Sequence, residues 1–359
     1  MTKLAEHLAE CIKLDGPMPI SRFMAMALGH PKWGYYTSRD PFGRAGDFIT
    51  APEVSQMFGE LIGLWCAERW QALGAPDPFI LAELGPGRGT LMADALRAGA
   101  ALPGFNQAAR VHLVETSPVL RAAQKTALAN RRVTWLDRIA DLPSGPVITI
   151  ANEFFDALPI RQFQRDEDGW HERMVGCRDG HLCLLLDPAA TPTAPLAAAM
   201  QGSPNGAIVE VSSARADAMG ALARNLAGHG GAALIIDYGH GESAIGDTLQ
   251  AMRAHVFADV LEAPGAADLT AHVDFQALGE AARQAGAQTF GPVSQASFLN
   301  QLGIATRAAI LQQNATEAQA EAVRAALHRL TGQDQMGELF KVMAVTAAGD
   351  DRPPGFAEA

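Results

Sequence analysis

Phe79-Ile80-Leu81-Ala82-Glu83-Leu84-Gly85-Pro86-Gly87-Arg88-Gly89-Thr90 is the stretch whose reading decides the fold. Phe79 to Leu84 reads as a short apolar strand with an acid near its end, and Leu91 to Ala100 has helical spacing. Glycines between a strand and a helix bring bare backbone close to a ligand. A dinucleotide fingerprint asks for glycine at the first, third and sixth places; counted from Gly85, the third is Gly87 and the sixth is Thr90. Thr90 therefore counts against a pyrophosphate. A sulfonium nucleoside, S-adenosylmethionine, carries no phosphate and needs less of the helix N-terminus and more of the glycine backbone. A tight turn with no ligand accounts for the same residues, so the rest of the chain has to decide.

Outward from this stretch, the same alternation recurs. Val111 to Glu115 is a second short strand ending in an acid, and Ser117-Pro118 is an N-cap followed by a favoured first helical residue. Val133 to Trp135, Pro146 to Ala151 and Ala232 to Asp237 supply three more apolar strands, and Leu339 to Ala347 a last one. Near-continuous apolar strands separated by helices predict a doubly wound α/β fold with a mainly parallel sheet. The expected layout is a helical N-terminal region over 1–75 with a lid loop at about 30–52, and a core over 76–347. That core carries an insertion at about 160–205, with a hairpin turn at Arg178-Asp179-Gly180, and helical additions at about 250–332. Residues 348–359 read as a frayed tail.

In an open parallel sheet, ligands sit at the carboxyl ends of the strands, near the switch in strand order. Glu83, Glu115, Asn152-Glu153 and Asp237 all fall at that edge. Glu115 lies thirty positions beyond Gly85, further than the roughly twenty of a dinucleotide site, but suited to the same task of accepting both ribose hydroxyls. Asp137, after the third strand, is a candidate neighbour for the adenine.

The net charge of -11 and the lack of a basic cluster exclude a nucleic-acid partner. No apolar run reaches the ~20 residues of a membrane span, so no membrane insertion is expected. Cys11, Cys66, Cys177 and Cys183 show neither metal-ligand nor disulfide spacing, and the N-terminus lacks the bias of a targeting peptide. A cytoplasmic address is the expectation.

Taken together, Gly46-Asp47-Phe48-Ile49-Thr50-Ala51-Pro52-Glu53-Val54-Ser55-Gln56, the Glu83 to Leu91 block, Val111 to Glu115 and Asn152-Glu153-Phe154-Phe155-Asp156-Ala157-Leu158-Pro159 resemble the MidA-like family. Asp237 to His240, Leu269 to Phe275 and Met336 to Phe340 carry the same likeness, which runs from about Ile20 to Val345. The resemblance implies a class I (Rossmann-like) methyltransferase with an antiparallel last strand and S-adenosylmethionine as cofactor. Its mitochondrial members dimethylate an arginine on a core subunit of respiratory complex I, so a protein substrate is implied. Carried over, Gly85, Gly87 and Glu115 match the cofactor site, and Asn152 to Asp156 the active-site strand end.

Glu83, Gly89, Asn152 and Asp137 complete the expected cofactor set, with Asp47 and Ser55 from the lid region. A guanidinium nucleophile needs a carboxylate to hold its planar fork. Glu153 is the first candidate and Asp156 the second. Three rivals stay open: a small-molecule methyltransferase, a cofactor-binding assembly factor without turnover, and a nicotinamide oxidoreductase, the last disfavoured by Thr90.

Overall fold

The computed structural model describes residues 2–38, 50–191 and 202–357. The chain folds as two units. One joins Ile49–Phe155, Asp217–Gly241 and Val273–Ala359; the other joins Met1–Phe48, Asp156–Ala216 and Glu242–His272.

The first unit is built on strands β1 (Phe79–Leu84), β2 (Ala109–Val114), β3 (Val133–Leu136), β4 (Val147–Asn152), β5 (Gly231–His240), β6 (Ala287–Ser294) and β7 (Phe340–Ala347). They lie in the order β6-β7-β5-β4-β1-β2-β3, and the two-residue strand Val273–Asp274 pairs parallel with the last residues of β5. β1 to β5 are mutually parallel; β7 runs antiparallel between β5 and β6. Every residue of β1 and β4 is buried, the result of covering a parallel sheet on both faces. Strand order reverses between β1 and β4, and the Gly85 turn leaves β1 at that switch point.

Helices α1 (Ala51–Val54), α2 (Gln56–Ala72), α3 (Thr90–Gly99) and α4 (Pro118–Ala127) frame that edge. Ser117 caps α4 with its hydroxyl on the Leu120 amide and Pro118 at the first helical position, as the sequence predicts. α2 buries Met57, Phe58, Leu61, Ile62, Trp65 and Trp70 in the main core and leaves Leu64 exposed. At Gly63 a Cβ would come within 2.5 Å of the Ala95 Cα, so only glycine lets α2 and α3 pack this closely.

Three sequence expectations need correction. The sheet has a strand, β6, inside the stretch expected to carry helical additions. Residues 250–270 form a three-stranded sheet, and the helical additions begin only at Phe275. The tail is not frayed as far as 357: Trp65 donates its indole N–H to the Pro354 carbonyl at 3.2 Å, and Phe356 is buried against Phe298.

The second unit has its own core of Leu4, Leu8, Phe23, Met24, Tyr35, Ile160 and Val175. Helices Lys3–Asp15 and Ile20–Gly29 belong to it, with a five-stranded sheet that contains the hairpin Trp170–Arg178 and His181–Ala190. Asp179 and Gly180 turn that hairpin with φ +51° and +81°, matching the expected Asp-Gly turn.

Candidate active site

The β1–α3 elbow is left-handed at alternate residues: φ is +59° at Gly85, +52° at Gly87 and +85° at Gly89. A Cβ on Gly85 would also lie 3.0 Å from Phe154 Cδ2, so this position needs glycine for conformation and for space. Thr90 opens α3, and its hydroxyl donates to Glu53 Oε1 at 2.6 Å. Glu53 thereby puts a carboxylate at the helix N-terminus where a dinucleotide site receives its pyrophosphate. Two negative groups there repel each other, which adds a physical reason to the one Thr90 gives from sequence.

Glu83 is 3% exposed near the end of β1. Burial, with the negative charge of Glu115 adding to it, pushes its carboxyl up to about 8, against the pull of the Met92 amide that hydrogen-bonds it. Its Oε2 is buried and receives no hydrogen bond from the described protein groups, and the same holds for Asn152 Oδ1 at the end of β4. Two acceptors without donors on neighbouring strands are costly unless a ligand supplies N–H groups.

Glu115 follows β2. The Ser117 amide donates to its Oε1 at 2.7 Å and Gln124 Nε2 to its Oε2 at 3.2 Å. Burial raises its carboxyl above the usual range, and these donors oppose the shift. Asp137 is mostly exposed and accepts from Arg121 Nη2 at 2.8 Å; the same guanidinium holds the carbonyls of Glu115 and Leu136. The Arg121 guanidinium thus joins the ends of β2 and β3, with the Asp137 carboxylate paired to it.

Beyond β4 the chain turns sharply. Glu153 has φ +49°, a strained value for a residue with a side chain, and its amide donates to the Ile236 carbonyl at 2.9 Å. Its Oε1 accepts from Asn152 Nδ2 and from the Ala51 amide, both at 3.2 Å. Asp237, fully buried, takes the amides of Phe155 and Tyr238 on its two oxygens at 3.0 Å each, so its carboxylate fixes the turn. Ser55 caps α2 through the Met57 amide at 3.2 Å. Asp47 lies outside the described residues. Asp156 opens the second unit, where its Oδ1 accepts from the Ala157 amide and its carbonyl from Arg215 and Ala271.

The structure thus places Glu83, Gly85, Gly87, Gly89, Glu115, Asn152 and Glu153 along one sheet edge. Gln124 is the residue that motif reading missed, a fully buried amide with no motif around it; Glu53, half-buried, stands inside a quoted block, but its contact with Thr90 is visible only in the fold. Among the described residues no cluster of three or more metal-ligating side chains occurs, and all four cysteines are free thiols.

This donor and acceptor set fits S-adenosylmethionine: acceptors for an ammonium, a carboxylate for a ribose diol, bare backbone beside the amino-acid end, and no phosphate cradle. Fold and site together define a class I methyltransferase. The family described as S-adenosyl-L-methionine-dependent methyltransferase matches residues 61–293. The mitochondrial protein arginine methyltransferase NDUFAF7 of Danio rerio is 38% identical over 371 residues, which cover 95% of this chain and 86% of that one. Its human counterpart is 37% identical over 378 residues, covering 96% of this chain and 83% of that one. A crystal structure from Burkholderia thailandensis with S-adenosyl-homocysteine bound superposes with a TM-score of 0.86 at 32% identity, covering 98% of this chain and 93% of that one. The chain belongs to the MidA-like family of S-adenosylmethionine-dependent methyltransferases.

Proposed function

We propose that this enzyme methylates an arginine side chain of a protein substrate, and that the substrate is a subunit of a complex I-type NADH dehydrogenase. The relatives named protein arginine methyltransferase, at 37–38% identity over nearly the whole chain, support the substrate class. The observation that carries the reading is Glu153: a carboxylate on a strained, buttressed turn at the sheet edge, beside the cofactor elbow. Strain of this kind persists only where the surroundings over-determine it, and it concentrates at functional sites.

When bound, S-adenosylmethionine supplies a methyl group on a sulfonium sulfur, open to in-line attack. The residues of this chain do the positioning. Glu83 and Asn152 offer acceptors to the ammonium end, the glycine backbone admits the methionine portion, and Glu115 accepts the ribose hydroxyls. Glu153 accepts N–H bonds from the substrate guanidinium, aligns one nitrogen with the methyl group and takes the proton that this nitrogen releases. The acidic balance of the chain favours approach of a cationic target.

Ser55 and Asp137 remain candidates for the cofactor set beside their contacts with Met57 and Arg121, and Asp156 is the second candidate carboxylate for the guanidinium. The mitochondrial relatives work in an organelle; for this chain we place the reaction in the cytoplasm. No helix of the described residues is long and apolar enough to cross a membrane.

The test is to incubate the enzyme with radiolabelled S-adenosylmethionine and lysate from a strain deleted for it. Label on an arginine of one protein band supports the reading. Label confined to the small-molecule fraction, or none at all, overturns it.

A further inference from the structure

The side chain of Gln124 is fully buried in the middle of α4, an expensive place for an amide unless its groups are paired. Three protein groups converge on it. Trp135 Nε1 donates to Gln124 Oε1 at 2.9 Å, while Gln124 Nε2 donates to the Gly87 carbonyl at 2.7 Å and to Glu115 Oε2 at 3.2 Å. An indole N–H can only donate, so it fixes which end of the amide faces the strand and which faces the glycine elbow. With that orientation set, the amine end ties together two elements that arrive from different strands: the carbonyl at the middle of the β1 turn and the acid after β2. Gly89 is a neighbour of the same residue: a Cβ there would lie 3.5 Å from the Gln124 Cα, an ordinary van der Waals contact.

From this geometry we infer that Gln124 is the positioning residue of the cofactor site: it sets the distance between the Gly87 elbow and the Glu115 carboxylate, and Trp135 sets the orientation of Gln124. Glu115 is then held from two directions, by the Ser117 amide on one oxygen and by Gln124 on the other. A carboxylate held at both oxygens keeps one rotamer before any ligand arrives. The ribose diol meets an acceptor pair already in place, and no side-chain freedom is lost on binding. The inference rests on Glu115 as the ribose acceptor, and it adds that the acid works only as part of this four-group unit.

The test is a double-mutant cycle on full-length enzyme, with S-adenosylhomocysteine titrated by calorimetry and thermal unfolding recorded for every variant. The variants are Gln124→Met, Glu115→Ala, the double substitution and Trp135→Phe. Gln124→Met keeps the volume and removes both donors and the acceptor; Trp135→Phe removes only the donor that orients the amide and spares the buried position. Loss of a hydrogen bond to a charged group corresponds to about tenfold in affinity, so each of Gln124→Met and Glu115→Ala is expected to weaken binding by about tenfold or more. The double variant is expected to bind within about threefold of the weaker single, because both changes break one unit. Trp135→Phe is expected to weaken S-adenosylhomocysteine binding by severalfold, with the larger part of the kinetic loss in the KM for S-adenosylmethionine and the smaller part in kcat. Additive losses in the cycle, or wild-type affinity for both Gln124→Met and Trp135→Phe while Glu115→Ala is weak, overturn the inference. Wild-type affinity in Glu115→Ala instead overturns the ribose assignment on which it rests. Should Gln124→Met fail to fold, wild-type affinity in Trp135→Phe alone is enough to overturn the inference.

Discussion

Glu153 accepts the backbone N–H of Ala51 at 3.2 Å while its own backbone is held at φ +49°. The contact joins the turn after β4 to the first residue of α1, and it explains how a non-glycine residue keeps a left-handed conformation. The carboxylate is anchored, the amide is bonded to Ile236, and Asp237 accepts the amide of Phe155, two residues on. Strain is tolerated here because the side chain has work that glycine does not do.

That view predicts a separation of stability from activity. A left-handed Ala costs on the order of 1 kcal/mol more than a left-handed Gly. Glu153→Gly is therefore expected to be more stable than Glu153→Ala by about 1 kcal/mol in chemical denaturation. Both variants are expected to lose methyl transfer by at least about a hundredfold, as befits a lost positioning group, while retaining S-adenosylhomocysteine binding. Glu153→Ala proving the more stable of the two contradicts the strain argument.

Glu83 makes stability depend on pH. Its folded value, about 8, lies above the ordinary value of 4.5, so the folded state holds the extra proton between the two. The contribution is fully present below about pH 4.5 and is lost as pH rises through about 8. Glu83→Gln removes the titration, so its stability advantage over wild type is expected to grow across that window, reaching on the order of a few kcal/mol. Unfolding curves from pH 5 to 9 check this prediction; a constant difference between the two proteins contradicts it.

Asp237→Asn is expected to destabilise the protein by roughly 2 kcal/mol, because one of two buried amides loses its acceptor. Since those amides belong to Phe155 and Tyr238, the turn that carries Glu153 loosens as well. A fall in kcat larger than the change in cofactor affinity is the expected kinetic signature.

Gly85→Ala combines a positive φ with a 3.0 Å approach to Phe154. Strain of about 1–2 kcal/mol is expected in the unfolding free energy, and calorimetry is expected to show weaker S-adenosylhomocysteine binding. Wild-type affinity in a folded Gly85→Ala protein contradicts the close-approach role of the elbow.

How much of this was legible in the sequence depended on whether the signal was local. β1 declared itself because a strand covered on both faces is apolar throughout, and Ser117-Pro118 and Asp179-Gly180 declare a cap and a turn by their own chemistry. β6 did not, because Gly291-Pro292 reads as a chain break; the structure absorbs it as an irregularity in register between Phe290 and Val293. The sheet over 250–270 turns at Ala254-His255, both left-handed without the Gly or Asn that marks such a turn. At the site, strand-end acids were visible from position alone. The roles of Gln124 and Glu53 come from what they touch across the fold: a mid-helix glutamine carries no motif, and the block that contains Glu53 does not say that it meets Thr90.

The central claim is that Glu153 orients a substrate arginine, and Glu153→Gln tests it most directly. Wild type and variant are to be compared for transfer of labelled methyl groups to lysate protein at saturating cofactor, with S-adenosylhomocysteine affinity measured alongside. The account predicts label on an arginine with wild type, and at least about a hundredfold slower labelling by a variant that still binds the nucleoside normally. Labelling by Glu153→Gln at the wild-type rate contradicts it.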